Sequence, residues 1–206
     1  MTITWLGHAC FLLESEGCRV ILDPCKGVPG VPDTRCEADA VYCSHTHFDH
    51  SYTDQITIRP ERPSPFTVRE EASYHDDASG TKRGENTIRV LTAESVSVVH
   101  LGDLGHSLST EQLTQIAKCD VLLLPIGGTY TLDTAQAKQV ADAIGARVVI
   151  PMHYRKGAMG FDVLQTVDEF TDQYDDALVH HSDTNTITIT DPIPAHGGVV
   201  VLRLPE

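Results

Sequence analysis

The sequence predicts an α/β fold, mixed sheets carrying helices on their outer sides, from three observations. Its first half is a series of short strand-like runs separated by turn residues. Its second half alternates capped helical patterns with continuous apolar runs of strand length. No linker-like stretch divides the halves, so the 206 residues are read as a single domain, 1–206.

The elements follow in order. "ITWLGHACFLLE" and "CRVILDP" flank the turn-prone Ser15-Glu16-Gly17 and read as a hairpin. "ADAVYCS" is a third strand, and "SHTHFDHS" (44–51) is the loop that leaves it. Residues 55–67 contain Pro60, Pro63 and Pro65 and read as an irregular rim or edge. No helix is expected between His50 and His75. "NTIRVLTA" and "SVSVVHLG" are strands joined by a tight turn near Glu94. "STEQLTQIAKC" opens with Ser109 and carries Gln112 three places on, the capping-box pattern of a helix start. "DVLLLP" is a buried strand. "DTAQAKQVADAIG" is a helix with Asp133 or Thr134 as cap and Gly145 as stop. "RVVIP" is another buried strand, "DVLQTVDEFTDQY" a further helix, "TNTITIT" a half-buried strand, and "GGVVVLRL" closes the chain.

Composition excludes several classes of function. A formal net charge of −14, with no run of Lys/Arg, is unsuited to a phosphate backbone, so nucleic acid is not an expected partner. The longest apolar runs, such as "VLLLP", are far too short to span a bilayer, and no basic segment precedes the first apolar residues. A cytoplasmic protein without a membrane partner is the expectation; oligomeric state stays open. The six cysteines form no C-x-x-C pair, and a chain of this length needs no staples, so they are expected as reduced thiols.

What the composition leaves unexplained is His45, His47, Asp49 and His50, four ligand-type side chains in six positions at a strand end. Each imidazole is at once donor, acceptor and metal ligand. Candidate partners stand at other segment ends: His8 in "WLGHA", His75 in "SYHDD", His100, Asp103 and His106 in "VVHLGDLGH", and His153 in "IPMHY". Loops at strand ends are where such folds collect their chemistry.

The pattern H-x-H-x-D-H, followed by His75, Gly102-Asp103 and His153 in that order, resembles the signature of the metallo-β-lactamase superfamily. "ITWLGHACFLLESEGCRVILDP" is similar to the start of its ascorbate-phosphate-lactonase-like branch of zinc-dependent hydrolases, and the likeness covers nearly the whole chain. The resemblance implies a four-layer αββα sandwich, with His45, His47 and His75 on one metal ion, Asp49, His50 and His153 on a second, and Asp103 bridging both. The spacing fits: alternate residues of an extended segment point to one side, as His45 and His47 would. Three protein ligands and an open position are the pattern of a catalytic ion. The implied cofactors are two divalent ions, zinc first, with Mn²⁺ or Fe²⁺ also compatible. Two such ions lower the pKa of a water held between them toward ~7 and polarise the bond it attacks.

Around that centre, Asp49 and His106 are the expected catalytic residues, Asp49 orienting the water and His106 acting either as proton donor or as a support behind the metal ligands. Arg83, Asn86, Tyr130 and His8 are the expected substrate contacts, Arg83 as a clamp on an anionic group. Turn residues beside His180, His181 and His196 place these on the surface. The function expected is hydrolysis of a small ester, lactone or phosphodiester-type molecule. A small-nucleotide phosphodiesterase and a non-catalytic metal or ligand-binding module are the alternatives. An iron-loaded redox enzyme ranks lower, because no feature suggests a flavin partner.

Overall fold

The computed structural model describes residues 1–190 and 198–204. The first strands are β1 (Thr2–Gly7), β2 (Cys10–Ser15), β3 (Cys18–Leu22), β4 (Cys36–Ala38), β5 (Ala40–Tyr42), β6 (Ile56–Ile58), β7 (Thr67–Tyr74), β8 (Glu85–Ala93) and β9 (Val96–His100). Then come α1 (Thr110–Ile116), β10 (Val121–Pro125), α2 (Thr134–Ile144), β11 (Val148–Met152), α3 (Val167–Thr171), β12 (Val179–His181), β13 (Thr186–Thr188) and β14 (Gly198–Val201).

Two sheets make the middle of the α/β sandwich. One has the order β13-β1-β2-β3-β5, the other β12-β14-β11-β10-β9-β8-β7, while β4 and β6 form a separate parallel pair. Ile3, Trp5, Phe11 and Leu13 of the first sheet share one core with Ile88, Val98, Leu122 and Ile150 of the second. The Trp5 ring lies 5.5 Å from that of Tyr154. Burial of this apolar surface is the main force holding the sheets together. The strands β9, β10 and β11 run parallel and are almost wholly buried, which is why they read as unbroken apolar runs. The helices contact one another, and α2 contacts β10. The capping box expected from sequence forms between Ser109 and Gln112, the expected cap Asp133 forms a second box with Gln136, and Gly145 ends α2 in the left-handed region at φ 67°.

Four expectations are corrected. The first strand is two: Gly7 and His8 take φ 105° and 52°, so the chain reverses there and β1-β2-β3 is a three-stranded meander. An eight-residue strand, β7, precedes His75; it is an edge strand whose side chains are mostly exposed, which removes the apolar alternation. The helix expected over 162–174 shrinks to α3, because Gln165 leaves helical geometry to donate its N–H to Gly127 O while its Oε1 accepts from Thr134 N. The short strands β6 and β12 were also not expected. His180 and His181 of β12 are exposed, while His196 lies outside the described residues. All six cysteines are free thiols. No helix among the described residues is long and apolar enough to cross a membrane.

Candidate metal centre

Segments that end or join strands meet at one edge of the sandwich. The turn between β1 and β2 supplies His8, and the end of β3 supplies Asp23. The loop after β5 supplies His45 to His50, and the ends of β7, β9 and β11 supply His75, Asp103 and His153.

At the centre is Asp103, 1% exposed. Its Oδ2 lies 3.0 Å from His75 Nε2, 3.2 Å from His50 Nε2, 3.3 Å from His153 Nε2 and 3.8 Å from His45 Nε2. His45, His47 and His75 form one group whose ligand atoms lie within 4.8 Å of one another, and His8, Asp49, His50 and His153 form another. The structure therefore brings together all seven residues expected to hold metal, and adds His8 beside them.

The far sides of the rings are fixed by the protein. His50 donates from Nδ1 to Asp23 Oδ2 at 2.8 Å. Ser44 donates its N–H and Oγ–H to the two oxygens of Asp23, both at 2.6 Å, and its Oγ accepts from His45 Nδ1 at 2.9 Å. His75 donates from Nδ1 to Tyr130 O at 3.0 Å. In each case the proton on Nδ1 leaves the Nε2 lone pair aimed inward.

That arrangement tests whether the residues fit a metal. His45 Nε2, His50 Nε2 and Asp103 Oδ1 are buried without a hydrogen-bond partner. Each such orphan costs about 1–3 kcal/mol. A cation accepting these lone pairs removes that cost, and nitrogen plus carboxylate is the donor set of zinc and its neighbours. The residues fit.

Electrostatics divide the rings of the cage: burial opposes charge on His50 and His75, yet Asp103 outweighs it and raises both above the usual imidazole value, and two other rings are pushed down. Burial pushes His45 down to about 3, with His50 adding to it, so this ring is neutral, the form in which an imidazole can hold a metal. Burial pushes His8 down to about 3 as well, reinforced by His153. Burial opposes charge on Asp103, yet His153 and His50 outweigh it and hold the carboxylate well below its usual range. Burial likewise opposes charge on Asp49, but the hydrogen bond from His8 keeps it ionised.

Three glycines let these segments interlock. A Cβ on Gly102 would lie 2.3 Å from Asn86 Oδ1, one on Gly105 2.6 Å from the His75 backbone, and one on Gly127 2.1 Å from His153 O. Only a residue without Cβ passes at such distances.

Arg83 and Tyr130 stand on the wall of a pocket of about 360 Å³ that opens over Asp49, His75, Asp103 and His153. Three other expectations are corrected. Asn86 is 2% exposed and does not line the pocket; its Nδ2 donates to Ser73 Oγ and Leu101 O, and its Oδ1 accepts from Asp103 N–H at 2.9 Å. It positions Asp103. His8 is wholly buried beneath the cage, its Nε2 3.2 Å from Asp49 Oδ2, and does not face substrate space. His106 lies in a different groove, where Nδ1 donates to Ser107 O and Nε2 accepts from Tyr74 N–H. Neither nitrogen is free to serve as proton donor at the cage.

Two organising carboxylates were missed. Asp23 closes "ILDP" at the end of β3, and an Asp at a strand end beside the cluster was the available signal. Asp76 accepts four backbone N–H groups, from Ala78, Gly80, Lys82 and Arg83, and so folds the loop that joins His75 to Arg83. An Asp opening a Gly-containing loop was its signal.

Comparison with known proteins gives the same picture. The model of the beta-lactamase superfamily domain matches residues 2–153. The UPF0173 metal-dependent hydrolase of Methanoregula boonei is 31% identical over 186 residues, covering 75% of this chain and 82% of the relative. The solved structure of a metallo-beta-lactamase superfamily protein of Thermotoga maritima superposes with a TM-score of 0.78 at 35% identity, covering 99% of each chain. A diiron beta-hydroxylase from Streptomyces venezuelae shares the fold alone, at 13% identity and a TM-score of 0.53 over 74% of this chain and 44% of that one. Fold by itself therefore does not select a reaction.

Proposed function

We propose, from the premise that this chain belongs to the beta-lactamase superfamily, that it is a metal-dependent hydrolase acting on a small ester, lactone or phosphodiester-type substrate. The observation that carries this reading is the convergence of four imidazole Nε2 atoms on one buried carboxylate oxygen at the floor of an open pocket. A closed structural site has no need of such an opening. The relatives named as metal-dependent hydrolases support it.

His45, His47 and His75 are proposed to hold one ion, Asp49, His50 and His153 another, with Asp103 between them. Zinc is the first choice. Bound metal in such a site supplies a water of lowered pKa and a Lewis acid for the bond under attack. The protein's own part is distinct from that chemistry. Asp49, held ionised by His8, accepts a hydrogen bond from the incoming water and orients it. Arg83 holds an anionic group of the substrate. Hydrolysis adds the water's oxygen to the acyl or phosphoryl centre, breaks its bond to the leaving oxygen, and returns a proton to that oxygen. Among the described residues, no imidazole outside the proposed ligand set lines the pocket, so that proton comes from solvent or from the attacking water itself.

The test is metal analysis followed by assay. The reconstituted protein is expected to hold two divalent ions per chain and to cleave at least one of an ester, lactone, β-lactam and phosphodiester panel. Chelation should abolish that activity, and zinc should restore it. A metal-replete protein inert on the whole panel, yet binding a small anion stoichiometrically, would instead be the binding module.

A further inference from the structure

The pocket is chemically two-ended. At one end, Phe48 is 58% exposed, although it sits within the segment that supplies four of the cage residues. Its ring meets that of Phe161 at 6.5 Å, nearly perpendicular at 83°. Phe161 presents an edge to His8 at 5.9 Å, and His8 lies against His153 at 4.0 Å. This end therefore belongs to the His8–His153 side of the cage.

At the other end, the Arg83 guanidinium lies over the Tyr130 ring at 5.8 Å and donates to Thr129 O at 2.7 Å. The carbonyl of the same Tyr130 accepts from His75 Nδ1. This end belongs to the His75 side. Asp103, in contact with both His75 and His153, marks the middle. Arg83 is the lone Lys or Arg among the described residues lining the pocket.

The loops that carry the aromatic end approach one another closely. Gly27 lies 3.7 Å (to an ideal Cβ) from the edge of the Phe48 ring. A Cβ on Gly30 would lie 2.6 Å from Ala158 O, so the loop beneath Phe48 interlocks with the one leading to Phe161.

We propose that the pocket takes a monoanionic substrate in one orientation, a flat apolar body packed against the Phe48–Phe161 pair and the negative group on Arg83, with the reacting bond between these two ends. An exposed aromatic ring paired with a half-buried one beside a reactive centre is an apolar surface awaiting a partner. A guanidinium stacked on an aromatic ring is oriented to grip a carboxylate or phosphate with two N–H groups. The volume, at the small end of ligand pockets, suits a small substrate. The inference rests on the hydrolase reading only in taking this pocket as the substrate's place.

The experiment is calorimetric titration of zinc-replete protein with phenylpropionate, phenylbutyrate and phenylvalerate, with the matching unsubstituted carboxylates, and with phenylbutanol. At the best chain length the phenyl acid is expected to bind about ten- to a hundredfold tighter than its unsubstituted partner, the return on burying one ring. A carboxylate that simply coordinates zinc does so in both acids and cancels in the ratio. Phe48→Ala and Phe161→Ala should each collapse the ratio toward unity, and Arg83→Gln should weaken both acids equally while leaving the alcohol unchanged. Equal binding of phenyl and plain acids, a preference that survives both Phe changes, or an Arg83→Gln variant with unaltered affinities overturns the proposal. Should Phe161→Ala lose its zinc, the exposed Phe48 decides alone. Binding needs no turnover, so the two readings fail separately. A protein that discriminates as expected yet cleaves nothing refutes the hydrolase, and a hydrolase indifferent to the ring refutes only this orientation.

Discussion

Replacing Asn86 with Ala separates a positioning role from a substrate contact. In the native protein its amide holds three buried groups: Ser73 Oγ at 2.7 Å, Leu101 O at 2.9 Å and the Asp103 N–H at 2.9 Å. The Ser73 hydroxyl loses little, because it still donates to the backbone carbonyl of residue 86. Leu101 O and Asp103 N–H lose their side-chain partner in a dry interior. At about 1–3 kcal/mol for each orphan, the variant should be about 2–6 kcal/mol less stable. Against a typical 5–15 kcal/mol that leaves a folded protein. With a urea slope of about 2 kcal/mol per molar, the midpoint should fall by about 1–3 M at unchanged slope, measured with chelator present so that metal does not contribute. Asp103 is also released from its anchor, and metal affinity should fall about 10- to 100-fold, as when a group supporting a ligand is removed. A variant with native urea midpoint and native metal affinity, altered only in KM, would return Asn86 to the substrate and refute the positioning argument.

Asp103→Asn should weaken metal binding more than His45→Ala or His153→Ala, since one carboxylate stands between both groups of ligands and an amide cannot offset cationic charge; equilibrium competition with a chromogenic chelator measures it, and wild-type affinity would show that Asp103 does not bridge. Gly127→Ala should lower the melting temperature and the metal content together, because its Cβ would lie 2.1 Å from His153 O and the backbone must move; native values for both would show that the segments are not interlocked there. The Arg59 guanidinium holds Asp39 at about 2, below its unfolded value of about 3.9, so this pair's share of stability is complete above the unfolded value and is lost as pH falls through about 2. Asp39→Asn should therefore destabilise the protein at neutral pH and progressively less toward pH ~2; a difference from wild type that stays constant over that range would exclude the pair as its cause.

The parts of the fold legible in sequence are those where one physical demand dominates. The buried parallel strands β9, β10 and β11 must be apolar on both faces and so announce themselves. Helices α1 and α2 carry their own end signals in Ser109, Gln112, Asp133, Gln136 and Gly145. Strand β7 carries no such mark, because an edge strand needs no apolar alternation and "TVREEASY" has little. The reversal at Gly7-His8 was hidden for another reason. A histidine at φ 52° is uncommon, and its place is fixed by what lies around it, the Asp49 carboxylate at 3.2 Å and the His153 ring at 4.0 Å. The shortened α3 follows the same logic, since Gln165 serves Gly127 and Thr134 in preference to its own helix.

Within the site, residue type and spacing reveal ligands, and three-dimensional accounting reveals their supports. His45, His47, Asp49 and His50 stand out because four such groups in six positions serve few ends other than a metal. Asn86 and His106 follow His75 and Asp103 in the sequence and have comparable chemistry, yet the fold sends one beneath Asp103 and the other to a separate groove. What divides them is the number of hydrogen-bonding atoms already engaged. Every polar side-chain atom of Asn86 and both nitrogens of His106 have protein partners, whereas His45 Nε2, His50 Nε2 and Asp103 Oδ1 have none. A buried lone pair without a partner is costly, so a fold that gathers several at one pocket floor pays for them only if something binds there. By that reasoning, metal should raise the unfolding temperature of the wild-type chain and do so much less in Asp103→Asn, where the carboxylate proposed to serve both ions has lost its charge.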